Sequence, residues 1–271
     1  MISFEKWQGI GNDFVMVDAF TESLPEDLAP LSLAMCDRRF GIGGDGLILL
    51  APGEKEALRM RMFNPDGSES EMCGNGIRCL ALFAQALGRA GEGEVPVETG
   101  AGRLTVEVLA DGRVRVDMGP ARLGQNEIGM AGKASERFVN EPIPDHDLRG
   151  TAVSMGNPHL VIFVEDASSV ELEAIGPALE RHPLFPARVN VHFVQVVDRE
   201  TLIQRTWERG AGVTLACGTG ACSVAVAAFL NGHANRSVTI RLPGGELGIE
   251  YREDGRVFMT GPATKVFEGE Y

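Results

Sequence analysis

The sequence predicts an α/β (α+β) protein built from two similar halves, and three observations indicate this fold class. Two Cys-Gly-x-Gly segments begin 144 residues apart, at Cys73 and Cys217. Each is followed by a mostly apolar stretch with helical spacing, and hairpin patterns of alternating apolar and polar residues come after it. We therefore expect two pseudo-symmetric halves at 1–120 and 121–262, with a tail at 263–271 that returns to the first half.

The order of repeated landmarks supports an internal duplication. Further pairs of segments recur at offsets of 142 to 145 residues: Gly11-Asn12 with Gly156-Asn157, Asp111 to Val114 with Asp254 to Val257, and Gly119-Pro120-Ala121 with Gly261-Pro262-Ala263. Chance matches among glycine-rich segments would give drifting or reversed offsets. We therefore interpret the halves as two copies of one unit.

The elements of each half follow from local periodicity. Apolar residues spaced i, i+3, i+4 and i+7 from Ile77 onward predict a helix, and the stretch 224–230 is apolar on every side, which predicts an enclosed helix. A further helix is predicted at 28–39. Runs rich in β-branched and apolar residues predict strands at 15–17, 47–50, 59–63, 103–108, 114–118, 160–164, 191–197, 202–207, 247–251 and 257–260.

Composition excludes several classes of protein. The chain has 25 Lys and Arg against 38 Asp and Glu, a net charge of −13, which argues against nucleic-acid and anionic-membrane partners. Charges, Gly or Pro interrupt every apolar run, and the first residues lack the apolar core of a signal peptide. Five Cys, an odd number, fit reduced thiols. We therefore expect a cytoplasmic protein.

The two thiols that open the predicted helices have a defined chemical environment. The first N–H groups of a helix lack intrahelical partners and carry partial positive charge, which lowers the pKa of a nearby thiol. The adjacent glycines let the backbone N–H groups converge on an anion. If the halves pack face to face, Cys73 and Cys217 would stand on opposite sides of one cleft. That arrangement suits removal of a proton from one face of a carbon and return of another to the opposite face.

Other interpretations of these segments are weaker. A lone Cys is most often a small buried hydrophobe, which fits Cys36, Cys79 and Cys222. The Cys spacings lack the CxxC pattern of zinc and redox sites, so we expect no metal. The segment 41–46 matches the dinucleotide pattern GxGxxG, but it follows a predicted helix and precedes a predicted strand. That order is the reverse of the nucleotide-binding one, and no nucleotide cofactor is predicted.

Long motifs across the chain resemble the diaminopimelate epimerase family, which interconverts LL- and meso-diaminopimelate without pyridoxal phosphate. The motifs are GIGNDFVMVD (9–18), FNPDGSESEMCGNGIRC (63–79), SMGNPH (154–159), RVNVHFVQV (188–196), WERGAGVTLACGTGAC (207–222) and LPGG (242–245). The resemblance implies that each half is a curled, mostly antiparallel sheet around a central helix, with the active site between the halves. It also implies a diamino dicarboxylate substrate, no cofactor and a homodimer.

The resemblance also implies roles for individual residues. Cys73 and Cys217 correspond to the paired base and acid, and His159 and Glu208 to residues that tune the acidity of the thiols. The implied substrate contacts are Asn12, Asn64, Gly74, Asn75, Asn157, Asn190, Glu208, Arg209, Gly218 and Thr219. The sequence departs from the family at Gly46, where some members carry Gln.

The chemistry of an amino-acid α-proton agrees with these roles. The proton is very weakly acidic, so without an electron sink the carbanion must delocalise into its own carboxylate, which helix N-termini can stabilise. Arg209 could pair with the remote carboxylate, a group that a proline or hydroxyproline racemase would not need to bind. That racemase and a non-catalytic amino-acid-binding module are the alternatives. Asn12 and Asn157 could also be simple turn formers, and His159 a structural histidine.

Overall fold

The computed structural model describes residues 1–91, 93–132 and 136–271 of the chain. Two compact units account for them, one formed by Met1–Asp117 with Thr260–Tyr271 and the other by Met118–Met259. Each unit has a mostly antiparallel sheet that packs against one thirteen-residue helix, which confirms the predicted fold class. The duplication inferred from the repeats stays a prediction.

Groups of strands stand before, between and after the helices along the chain. In chain order the strands are β1 (Ser3–Gly9), β2 (Asn12–Asp18), β3 (Gly46–Pro52), β4 (Leu58–Phe63), β5 (Glu69–Ser70), β6 (Gly93–Thr99), β7 (Gly102–Val108), β8 (Val114–Pro120), β9 (Glu141–Pro142), β10 (Arg149–Ser154), β11 (Pro158–Val164), β12 (Asn190–Val196), β13 (Thr201–Glu208), β14 (Gly212–Thr214), β15 (Ser237–Leu242), β16 (Gly245–Tyr251), β17 (Arg256–Gly261) and β18 (Thr264–Glu270). The α-helices are α1 (Ala29–Cys36), α2 (Gly74–Ala86), α3 (Gln125–Ile128), α4 (Leu172–Glu180) and α5 (Gly218–Leu230).

The sheet of the first unit runs in the order β18, β1, β2, β3, β4, β6, β7, β8. The pairs β2–β3 and β4–β6 are parallel and the other neighbouring pairs are antiparallel. The C-terminal residues contribute β18, which pairs with β1. Helix α2 contacts β1, β2, β3 and β7, and it buries the predicted apolar face that includes Ile77, Leu80 and Ala84. This burial supplies most of the stabilisation of such a helix.

The second unit repeats the same alternation of strand directions. Its order is β10, β11, β12, β13, β15, β16, with β11–β12 and β13–β15 parallel and the other pairs antiparallel. Helix α5 contacts β10, β11, β12, β15 and β16. Residues 220–228 of this helix are all buried, as predicted, whereas Phe229 and Leu230 at the end of the predicted stretch are half-buried.

Two kinds of element differ from the sequence prediction. The helix predicted at 28–39 ends at Cys36, because Asp37 is extended and its carboxylate accepts the N–H groups of Arg39 and Phe40. Strands β1, β5, β6, β9, β10, β14, β15 and β18 were not predicted. Strands β5, β9 and β14 have only two or three residues, and the half-polar pattern of the other five does not separate a paired strand from a loop without the partner strand.

Among the described residues, no helix combines the length and the apolar character that crossing a bilayer requires.

Candidate active site

Cys73 caps the N-terminus of α2 in the first unit. It has an extended backbone (φ −136°, ψ 119°), and its Sγ accepts a hydrogen bond from the N–H of Gly76 at 3.4 Å. A Cβ on Gly76 would stand 2.6 Å from Ile48 Cδ1, so a larger residue here would require the end of the Ile48 side chain to move. The half-buried sulfur therefore lies where backbone dipoles stabilise negative charge.

Two of the predicted asparagines lie beside this thiol. Asn12 Oδ1 is 3.8 Å from Cys73 Sγ and accepts a hydrogen bond from Asn75 Nδ2 at 3.2 Å. Asn12 Nδ2 donates to Asp45 Oδ2 at 2.5 Å, which sets the orientation of the Asn12 amide. Asn75 is 3% exposed, and its Oδ1 has no hydrogen-bond partner among the described residues.

Asp45, which accepts the hydrogen bond of Asn12, belongs to a network of charged side chains that the sequence analysis did not identify. Arg38 donates to both Asp13 and Asp45, and the buried Lys6 Nζ lies 2.7 Å from Asp13 Oδ2. Burial alone would raise the pKa of Asp13, but the hydrogen bonds and charges of Arg38 and Lys6 lower it to about 2. Asp45 is therefore held by a cation and by the amide of Asn12 at the same time.

Asn64 and Gly46 have structural contacts. Asn64 Nδ2 donates to Ser68 Oγ at 3.0 Å within the turn that follows β4. A Cβ on Gly46 would lie 3.0 Å from Phe63 O and from Met62 Cε, so any side chain at 46 would crowd its neighbours. The substrate contact expected of Asn64 stays a prediction.

Cys217 caps α5 in the second unit with nearly the same backbone (φ −133°, ψ 103°), but its environment differs. It is 6% exposed. Burial, together with the negative charge and hydrogen bond of Glu208, raises the pKa of the Cys217 thiol well above its usual value. The N–H of Gly220 and the hydroxyl of Thr219 oppose this rise only in part. Burial and the carboxylate of Glu208 therefore both favour the protonated form of the Cys217 thiol.

His159 lies in a buried hydrogen-bonded chain. Its Nε2 is 2.9 Å from Asn157 Oδ1, and its Nδ1 is 2.8 Å from His192 Nε2. Burial lowers the pKa of His192 to about 3 and the pKa of His159 well below its usual value. The sequence analysis assigned no role to His192, although it stands two residues after Asn190 on the same face of one strand. The tuning role expected of His159 stays a prediction.

Asn190 joins two predicted site segments. The parallel pair β11–β12 places it opposite His159. Its Nδ2 donates to Pro158 O at 3.0 Å, and its Oδ1 accepts from the backbone N–H of Arg209 at 2.9 Å. The guanidinium of Arg209 is exposed apart from a bond to Ala187 O at 3.1 Å.

Glu180, at the end of α4, is a buried acid that the sequence analysis missed. Its carboxylate accepts from Trp207 Nε1 at 2.8 Å and from the N–H of Gly210 at 3.2 Å. The two bonded residues, Trp207 and Gly210, stand on either side of Glu208-Arg209 in the chain, so the two hydrogen bonds hold this turn in place. A Cβ on Gly176 would stand 2.4 Å from the Trp207 ring, so a glycine one turn before Glu180 makes room for the indole.

Known proteins resemble this chain along nearly its whole length. The family model for diaminopimelate epimerase matches residues 4–124 and 151–266. The diaminopimelate epimerase of Moorella thermoacetica is 53% identical over 99% of this chain and 98% of the relative. That of Pelotomaculum thermopropionicum is 51% identical over 99% of this chain and 98% of the relative.

Solved structures of more distant proteins share the fold. A PhzF-family phenazine biosynthesis protein of Bacillus anthracis superposes with a TM-score of 0.72 at 16% identity, covering 100% of this chain and 98% of that one. A hydroxyproline epimerase of Agrobacterium vitis superposes with a TM-score of 0.68 at 16% identity, covering 99% and 91%. At this identity the likeness concerns the fold alone.

Proposed function

This chain belongs to the diaminopimelate epimerase family, and from that premise we propose that it interconverts LL- and meso-diaminopimelate by exchanging one α-proton. The observation that carries the proposal is that this chain is about 50% identical to such enzymes and begins each of two buried helices with a Cys-Gly-x-Gly segment. The likeness to the hydroxyproline epimerase is one of fold, so the racemase alternative gains nothing from it.

Cys73 and Cys217 are the proposed base and acid, acting on one α-carbon. Glu208 favours the protonated form of Cys217, and the N-terminus of a helix favours the thiolate at either position. In each direction of the reaction one sulfur is the proposed thiolate and the other the proposed thiol. Proton removal by one and delivery by the other inverts the α-carbon, and the roles exchange in the reverse direction.

The carboxylate next to the reacting carbon gains negative charge in the transition state. The N–H groups of Gly74 and Asn75 on α2 and of Gly218 and Thr219 on α5 are the proposed donors. Preorganised donors of this kind contribute about 10²–10³ in rate each, because they need no reorganisation when charge develops. Such stabilisation takes the place of an electron sink, so the proposed reaction needs no pyridoxal phosphate.

The remote end of the substrate carries an ammonium and a carboxylate. Arg209 is the proposed partner of that carboxylate, since a guanidinium can bind it with two parallel hydrogen bonds. Its backbone is held by Asn190, and Glu180 braces the turn on the other side. The remaining proposed contacts are Asn12, Asn64 and Asn157. We further infer a homodimer in the cytoplasm, with the small diamino dicarboxylate as its partner.

Deuterium incorporation tests this function. The purified protein, without added cofactor, is incubated with LL-diaminopimelate in deuterated water, and proline serves as the control substrate. We expect deuterium at the α-carbon and formation of the meso isomer with diaminopimelate alone. Turnover of proline, or no label in diaminopimelate, would overturn the proposal.

A further inference from the structure

Four polar side chains form a continuous hydrogen-bonded path across three neighbouring strands of the second unit. His159 lies on β11, His192 on β12, and Gln204 and Thr206 on β13. His192 Nδ1 lies 3.1 Å from Gln204 Nε2 and 3.0 Å from Thr206 Oγ1, and its Nε2 lies 2.8 Å from His159 Nδ1. All four residues are almost completely buried. Buried polar groups on this scale are kept only where their hydrogen bonds are made.

The two ends of the path fix its direction. The carbonyl oxygen of Asn157 can only accept, so the hydrogen of His159 must be on Nε2 and its Nδ1 must accept. His192 then donates from Nε2 to His159. Its own Nδ1 must accept, which agrees with the amide nitrogen of Gln204 at the far end. In this direction each donor from Gln204 Nε2 to His159 Nε2 meets an acceptor, whereas Gln204 Oε1 is buried without a hydrogen-bond partner among the described residues.

Burial keeps both imidazoles neutral. Desolvation lowers the pKa of both rings, and the positive charge of Arg209 further disfavours protonation of His159. A neutral imidazole has one donor and one acceptor, so each ring has one definite tautomer here.

The path decides which part of the Asn157 amide is left for a ligand. The oxygen of Asn157 is taken by His159, and its Nδ2 has no protein partner among the described residues. The side chain is half-buried at the start of β11. Asn157 therefore presents N–H donors, the groups that a substrate carboxylate requires.

We infer that His192 is a positioning residue, which fixes the tautomer of His159 and thereby turns the N–H donors of Asn157 toward the substrate. The inference rests on the proposed function, in which Asn157 contacts the substrate. His192 also lies against Gly220, because its Nε2 and the Sγ of Cys217 are both 2.9 Å from the point where a Cβ on Gly220 would stand. The same imidazole thus borders the N-terminus of α5.

The tautomer can be measured without any activity. ¹⁵N-histidine is incorporated into the full chain, and the five rings are assigned from single His→Gln variants. We expect His159 and His192 to carry hydrogen on Nε2 and to stay neutral from pH 6 to 8. A hydrogen on Nδ1 of His159 in the unsubstituted protein would overturn the inference, whatever the variants do.

Two substitutions of His192 then test whether the tautomer of His159 affects the binding of the substrate. Glutamine can place its amide N–H near the position of Nε2, so H192Q should keep the His159 tautomer and the KM for diaminopimelate. H192L removes the donor to His159, and we expect its KM to rise about tenfold with a smaller change in kcat, since one hydrogen bond to a charged group is lost. H182Q is the matched control, because His182 bonds to Pro144 O outside the path.

The possible failures are separable. If the unsubstituted protein does not label diaminopimelate, the proposed function fails, although the tautomer is still measured. If it is active and H192L retains both the wild-type KM and the His159 tautomer, the positioning role fails. If H192L does not fold, the unsubstituted protein and H192Q still test the positioning role of His192. Loss of the Nε2 hydrogen of His159 in H192Q would contradict the inference as well.

Discussion

The two cysteines share one local sequence and one backbone conformation, yet the two units surround them differently. Cys73 is half-buried beside the amides of Asn12 and Asn75, whereas Cys217 is buried against the carboxylate of Glu208. The helix N-terminus is common to both. The difference between the two environments therefore comes from the strands around each helix and not from the Cys-Gly-x-Gly segment itself.

The repeated asparagines show the same divergence. Asn12 has its Nδ2 on Asp45 and turns its oxygen toward Cys73, whereas Asn157 has its oxygen on His159. Equivalent positions in the repeat thus present opposite ends of the same amide. If the halves are copies of one unit, as the repeats predict, such neighbours give the two copies different chemical roles without a change in the main motif.

Removal of either thiol should have the largest effect, and it tests whether both environments serve one reaction. Cys73→Ala and Cys217→Ala should each lower kcat for epimerisation by at least about 10²–10⁴, because general acid and base catalysis contributes that much. The loss is measured as meso-diaminopimelate formed from the LL isomer, with circular dichroism to confirm folding. Cys79→Ala, which removes a fully buried thiol, is the control for loss of sulfur alone. Substantial turnover by both single active-site variants would contradict the two-base assignment.

Alanine at the fourth residue of each Cys-Gly-x-Gly segment, Gly76 or Gly220, tests how much space each environment leaves for an added methyl group. In Gly220→Ala the new Cβ would lie 2.4 Å from Cε1 of the rigid His192 ring and 2.9 Å from Cys217 Sγ. In Gly76→Ala the close atom, at 2.6 Å, is the end of the flexible Ile48 side chain. We expect Gly220→Ala to lower the free energy of unfolding by about 1–3 kcal/mol and to impair kcat, and Gly76→Ala to cost less.

Urea unfolding and steady-state kinetics on both glycine variants check this order. Equal losses of stability and activity would mean that the His192 ring can move aside as easily as a terminal methyl group.

Lowering the pH should reduce the free energy of unfolding through a different buried group in each unit, His192 in the second and Asp13 in the first. The folded pKa of His192 is about 3, below its usual 6.5, so below pH 6.5 the unfolded chain binds a proton that the folded chain does not. Stability is then lost as the pH falls from 6.5 toward 3, by up to about 1.4 kcal/mol per pH unit for each such histidine. Asp13 has a lowered pKa of about 2 against 3.8, so its contribution is complete above 3.8 and is lost only below that pH.

Free energies of unfolding measured between pH 4.5 and 7 test this difference. His192→Gln should flatten the slope, whereas Asp13→Asn should shift the curve without changing its slope. Parallel curves for the unsubstituted protein and His192→Gln would show that the His192 imidazole has the same pKa in the folded and unfolded states.

The smallest expected effect concerns the charge beside Cys217. Glu208→Gln removes the carboxylate that raises the pKa of this thiol, so the pKa should fall while burial keeps it above that of a free thiol. Each unit of decrease raises the thiolate fraction about tenfold. Alkylation by iodoacetamide at pH 8, followed by peptide mass spectrometry, should therefore accelerate at Cys217 and stay constant at Cys73. An unchanged or slower rate at Cys217 would contradict the assignment.

Much of the candidate site could be predicted because its residues lie in local patterns. The paired motifs identified Cys73 and Cys217, and the helices after them were predicted from apolar spacing that the structure confirms. Asp45, Glu180 and His192 were not identified. They reach Asn12, Trp207 and His159 from distant segments. Contacts of that kind leave no periodic signal, since they depend on which strands pair and in what register.

The sequence by itself determined the α/β class, the two helix-capping thiols and the family, because hydrophobic periodicity, glycine-rich turns and long motifs are local properties of the chain. Only the tertiary structure decided the environment of each thiol, the direction of the His159–His192 path and the end of each asparagine amide that stays available. The physical reason is that burial and hydrogen-bond direction are properties of neighbours. Neighbours brought together by sheet pairing stand more than thirty residues apart along the chain in the cases of Asn12 with Asp45 and His159 with His192.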